Sequence, residues 1–122
     1  MNHNFKELKI WQRSKELCLT IYKISTSFPE AEKFGLMSQI RRCSVSIPSN
    51  IAEGCGRNTD KQLIQFLNIS MGSLTELETQ IIISTELNFI INKESEIILT
   101  EINELQKMIN VFRLGLIKRS NV

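Results

Sequence analysis

Four times along this chain, apolar residues return at steps of three and four, the interval that puts side chains on one face of an α-helix. The most regular run is Ile98, Ile102, Leu105, Ile109, Phe112 and Leu116, at steps of 4, 3, 4, 3 and 4. Leu63, Leu67, Ser70, Leu74, Leu77 and Ile81 repeat those steps. Ile10, Leu17, Ile21, Ile24 and Phe28 form a third stripe, flanked by Leu8, Trp11, Cys18 and Tyr22. Leu36, Ile40, Cys43, Ile47 and Ile51 form the fourth. A helix with an apolar face must bury it against a neighbour. Four such helices joined by short turns predict an all-α fold, an up-down-up-down four-helix bundle. The expected helices span about 6–27, 36–54, 60–88 and 93–118 in a single domain, residues 1–122. A chain of 122 residues has surface enough to bury for one core and not two.

The second stripe passes through a proline. In SVSIPSNIAEGCGR, Ser44 to Arg57, the apolar spacing continues from Ile47 to Ile51 across Pro48. The pattern therefore predicts a helix that runs on through Pro48 with a bend, because the ring crowds the Ser44 carbonyl and brings no N–H to it. Gly54 and Gly56 end the segment, and either suits a left-handed cap. Asn50 is expected to satisfy a carbonyl near Pro48 or to bridge to the next helix. Glu53 is expected to bond an orphan N–H or Arg57, four residues on. Thr59 with Gln62 makes a capping box for the third helix, and Asn92 is a cap for the fourth. Ser70, Gly72 and Ser73 sit mid-helix, where small side chains let another backbone approach.

More apolar residues are present than one bundle core needs. Trp11, Tyr22, Val45, Phe66, Ile69, Met71, Ile82, Ile83, Leu99, Met108 and Val111 all lie off the main stripes. A second apolar surface on a small folded chain predicts self-association, so a homo-oligomer is expected.

Chemistry is sparse. The one histidine, His3, sits at the terminus, so no Ser–His–Asp set is assembled with it. Metal-ligand spacings and Glu-x-x-His pairs are missing, and GCGR lacks the frame of a phosphate loop. Neither catalytic residues, nor metal ligands, nor a cofactor are expected. Glu53, Glu76 and Glu78 read as helix-surface carboxylates. Cys18, Cys43 and Cys55 are odd in number and widely spaced, which suits buried free thiols in a reducing, cytoplasmic setting. The apolar runs are too short to cross a membrane.

Net charge is +2, too small by itself to mark a nucleic-acid binder. Its distribution is uneven. Residues 1–61 hold ten Lys and Arg against six acids, and residues 62–122 hold five against seven. Arg41 and Arg42, with Lys33 eight residues before Arg41, are the leading basic group, and Arg57 and Lys61 lie past the far end of the segment. Lys6, Lys9, Arg13 and Lys15 are spread along the first helix. In an assembly, such cations repeat by symmetry and form a larger patch.

Three stretches taken together, FKELKIWQRSKELCLTIY, FPEAEKFGLMSQIRRCSVSIPSNIAEGCGR and FLNISMGSLTELETQIIIS, closely resemble the four-helix-bundle proteins encoded by intervening sequences in bacterial 23S ribosomal RNA genes. The matching order runs from about residue 5 to 90, and SIPSNIAEG followed by Arg57 is its most specific part. The resemblance implies a small cytoplasmic bacterial four-helix bundle with no established activity. The wider family includes the accessory protein of diversity-generating retroelements, a pentameric barrel with a basic surface that associates with nucleic acid and reverse transcriptase. A homopentamer is therefore implied, and Arg41, Arg42, Arg57 and Lys61 become the candidates for RNA or DNA contact. Pro48, Asn50, Glu53 and Gly54 are the structural motif. The charge of +2 departs from the strongly basic character of the retroelement branch. The expected function is a non-enzymatic oligomeric protein that binds RNA or a nucleoprotein. The competing expectation is a scaffold or adaptor for a protein partner.

Overall fold

The chain's own hydrogen bonds define the bundle in a computed structural model that describes residues 3–120. Four helices follow one another: α1 Lys9–Ser25, α2 Leu36–Cys55, α3 Asp60–Glu86 and α4 Asn92–Ser120. One 3-10 turn precedes α1 at Phe5–Glu7, and another, Glu30–Glu32, lies between α1 and α2. No strand occurs among the described residues.

Cross-helix contacts give the direction of each pair. The Ser25 end of α1 meets Arg41, while Cys18 accepts from Ser44 at 3.5 Å. Cys43 lies beside Ser73, and Gly54 beside Leu63 and Phe66. Thr85 donates to Ser95 at 2.9 Å, and Asp60 meets Arg119. Arg13 pairs with Glu101 at 2.7 Å and Glu104 at 3.3 Å. Rising numbers on one helix match falling numbers on its sequence neighbour, so the topology is up-down-up-down. The packing is closest between α2 and α3 and most open between α1 and α4.

The stripes make the core. Ile21, Ile40, Ile47, Ile51, Leu67, Leu74, Leu77, Ile81, Ile102, Leu105 and Ile109 are fully buried. Each such side chain contributes roughly 1.5–3 kcal/mol of transfer free energy. Ile24, Leu36 and Phe112 are only half-buried. Ser14 fills the step between Ile10 and Leu17, buried and bonded to the Trp11 carbonyl at 2.9 Å.

Small residues draw α2 and α3 together. Ser70 donates to the Ile47 carbonyl at 3.0 Å, and Cys43 donates to the Ser73 carbonyl at 3.0 Å. Gly72 takes no part, since a Cβ there would meet nothing. The close-approach glycine is Gly54, buried inside α2. A Cβ on it would lie 2.7 Å from Leu63 Cδ1 and 2.8 Å from Phe66 Cβ.

The helix ends show where local chemistry won over pattern. α2 runs unbroken past Pro48. Gly56 does cap it, but in a right-handed conformation with φ −86°. Instead, Asn88 takes the left-handed position at the end of α3, with φ 65°. The Phe89 N–H reaches the Ser84 carbonyl at 2.8 Å and the Asn88 N–H reaches Thr85 at 3.0 Å, the paired bonds of a Schellman turn. Phe89 then packs on Phe28, ring centroids 5.5 Å apart. Thr59 caps α3 as expected, accepting from the Gln62 N–H at 3.2 Å. Gln62 reaches back to the Asn58 N–H, not to that of Thr59. Asn92 lies within α4, and the Ile91 carbonyl accepts that helix's first bond. α1 starts three residues later than the stripe implies, because Phe5–Glu7 winds as a 3-10 turn capped by Asn4.

Candidate nucleic-acid interface

Helix α1 ends with carbonyls that have no partner within the helix. Arg41, reaching across from α2, supplies one. Its Nη2 donates to the Tyr22 carbonyl at 3.1 Å, and its Nε donates to Ser25 Oγ at 2.8 Å. Ser25 in turn donates to the Ile21 carbonyl at 2.7 Å. A cation here also complements the negative end of the α1 dipole. The guanidinium lies 4.8 Å from the Tyr22 ring centroid, within cation–π range. Arg41 is thus fixed by three contacts.

Beside it an open groove of ≈ 720 Å³ runs between the end of α1 and the first half of α2. Tyr22, Lys33, Phe34, Met37, Arg41 and Arg42 line it, with Ser38, Val45 and Ser46. No carboxylate is among these lining residues. Arg42 is exposed and makes no ion pair among the described residues. Lys33 is not on α2 but in the turn before it, with Nζ 5.6 Å from the Phe34 ring. Phe34 is 90% exposed. It stands just before Gly35, which opens α2 without a capping side chain. Glu32 supplies the cap instead, accepting from the Leu36 N–H at 3.0 Å.

The second basic pair lies elsewhere. Arg57 bonds Glu53 at 3.0 Å and stacks 4.9 Å from the Phe66 ring centroid. Lys61 is exposed in the first turn of α3, next to the Asp60–Arg119 ion pair. From Arg41 to the end of α2 at Cys55 the rise is about 21 Å. The four candidates therefore form two groups at opposite ends of one helix. Arg41 and Arg42 share the groove, while the charge of Arg57 is offset by Glu53. Arg13 is taken up by Glu101 and Glu104, and its guanidinium pKa is raised further by the hydrogen bond to Glu101.

Of the structural motif, Asn50 stays on its own helix and donates to the Ser46 carbonyl at 2.7 Å. Glu53 takes the Arg57 option, and Gly54 is the contact point with α3. Burial pushes the Cys43 thiol up to about 12 and also raises that of Cys55, so both are poor nucleophiles. His3 packs edge-on against Phe112, 5.4 Å between centroids. No three His, Cys, Asp or Glu side chains gather as a metal site among the described residues.

Tyr22 and Phe34 were not candidates by pattern. Tyr22 reads as part of the row flanking the α1 stripe and as one of the surplus apolar residues. The available signal was Phe34 itself, an aromatic residue next to Gly35 that fits no stripe.

A family model for the 23S rRNA-intervening sequence protein matches residues 6–111. No curated protein matches. Among solved structures, the fold is similar to a protein of unknown function from the S23 ribosomal protein family of Bacteroides thetaiotaomicron. That similarity has a TM-score of 0.77 at 24% identity, over 85% of this chain and 97% of the other.

Proposed function

Since this chain belongs to the 23S rRNA-intervening sequence protein family, we propose that it works by binding: a self-associating four-helix bundle that contacts nucleic acid through the cations of the α1–α2 corner. The observation that carries this reading is the groove bordered by Lys33, Arg41 and Arg42 with no carboxylate among its lining residues. Arg41 is already held by Ser25 and Tyr22, so little side-chain freedom is lost when it meets a phosphate.

Self-association multiplies such a corner. Ile97, Val111 and Leu114 on α4 and Leu19 on α1 are large apolar side chains at least half exposed, more than a lone surface residue calls for. Tyr22 borders the groove toward α2, while Thr20 and Ile24 line the seam toward α4. Copies joined at the α4 side leave the groove open. In a ring of five, the number the family resemblance implies, five corners add into a cationic track from a chain of net charge +2.

Gel-shift titrations with ribosomal-RNA stem fragments and duplex DNA test the reading. The assembled protein is expected to bind at about 50 mM salt and to weaken steeply as salt rises. Arg42→Glu should weaken every sequence alike and reduce the salt slope by about one per lost phosphate contact. No shift at low salt, or a shift indifferent to Arg42→Glu, contradicts it. The exposed α4 residues favour a second reading, a scaffold for a protein partner. Its mark would be a co-purifying protein lost on Val111→Glu and retained on Arg42→Glu.

A further inference from the structure

Phe34 is the most exposed of the large apolar side chains described, at 90%, and water is an unfavourable neighbour for it. Its ring stands in a turn with the Lys33 ammonium 5.6 Å from its centroid. Across the groove a second ring, Tyr22, is 41% exposed and carries the Arg41 guanidinium 4.8 Å from its centroid. Arg42 completes the border. Two rings, one nearly fully exposed and one partly so, each with a cation near its face, share the groove with Arg42, and no acid lies among the lining residues. Duplex phosphates need only the cations, because paired bases keep their faces stacked on one another. The aromatic faces are of use to a strand whose bases are unpaired.

We propose that this groove takes single-stranded nucleic acid, with an unpaired base stacked on Phe34 and the neighbouring phosphates against Lys33, Arg41 and Arg42. The proposal rests on the nucleic-acid reading above and narrows it from phosphate contact to stacking. Charge complementarity selects this occupant: a groove with three cations and no lining carboxylate suits a polyanion with flat faces better than a second copy of the same basic corner. Specificity for one base is not expected, since every base has a face to stack.

The test is fluorescence anisotropy of the assembled protein with a mixed-sequence 12-nucleotide RNA that does not fold on itself, and with the blunt duplex it forms with its complement. The single strand is expected to bind more tightly than the duplex. Phe34→Ala should weaken the single strand at least about fivefold and leave the duplex unchanged. Phe34→Trp should restore single-strand binding. Its side chain touches so little that Phe34→Ala is expected to keep the helical circular-dichroism spectrum. If Phe34→Ala leaves single-strand binding unchanged while Arg42→Glu weakens both probes, stacking is overturned and the phosphate-contact reading stands. If neither probe binds at low salt, both are overturned. If Phe34→Ala changes the mass of the assembly, the ring is a contact between copies and the proposal is overturned.

Discussion

Gly54 and Gly72 are both helical glycines, yet they should answer alanine in opposite ways. At Gly54 the new Cβ meets Leu63 Cδ1 at 2.7 Å and Phe66 Cβ at 2.8 Å. Leu63 can turn its tip away, but Phe66 Cβ is fixed to its backbone. The helix-propensity gain of about 1 kcal/mol is then outweighed, and Gly54→Ala is expected to destabilise by about 1–2 kcal/mol net. Gly72 faces open space, so Gly72→Ala should stabilise by up to about 1 kcal/mol. Urea denaturation midpoints of the two variants check both signs. The sequence places both glycines on helices, but which one touches a neighbour depends on the crossing of α2 and α3. Asp60 offers a pH test. Arg119, bonded to it at 2.6 Å and 2.7 Å, holds its carboxyl below the usual carboxylate value. The folded pKa is depressed, so the pair's contribution is present above the unfolded value and lost as pH falls through the folded one. Asp60→Asn should therefore lower stability at neutral pH and flatten the acid fall below about pH 4, read as the urea midpoint against pH.

Among the helices, the apolar stripes foretold faces far better than ends. The α2 stripe of Ile40, Cys43, Ile47 and Ile51 is buried as spaced, and its continuity across Pro48 was legible because packing on both sides outweighs one missing hydrogen bond. The ends depend on which backbone groups find partners, and that is a matter of a few atoms. Glycine was the natural choice for a left-handed cap at α2, yet Asn88 alone among the described non-glycine residues has positive φ. Asparagine tolerates that region better than most residues. Asn88→Gly is expected to stabilise by a few tenths of a kcal/mol and Asn88→Ala to destabilise by about 1 kcal/mol, read from thermal midpoints. Thr59→Ala removes the side-chain cap on the Gln62 N–H and should cost about 1 kcal/mol.

For the whole bundle, the all-α up-down architecture could be read from four stripes, whereas the candidate site could be read only in part. Arg41 and Arg42 stand out as adjacent cations, but the sequence does not say that Arg41 closes the end of α1 through Ser25 and the Tyr22 carbonyl. Nor does it separate them from Arg57 and Lys61, which the length of α2 carries to the opposite end. Phe34 joins the site only because the turn before α2 folds its ring beside the groove. The surplus apolar residues divide as well: Trp11, Phe66, Met71, Leu99 and Met108 are half-buried, while Tyr22, Val45, Ile69, Ile82, Ile83 and Val111 remain exposed. Val111→Glu is expected to lower the mass of the assembled species in sedimentation equilibrium while helical content stays the same. The most direct measurement is ultraviolet cross-linking of bound single-stranded RNA, followed by trypsin and mass spectrometry. Cleavage after Lys33 and Arg41 isolates the segment from Phe34 to Arg41. The added nucleotide mass is predicted on that segment and is to be lost with Phe34→Ala. Cross-links confined to α4, or to the segment around Arg57 and Lys61, would contradict a binding surface at the α1–α2 corner.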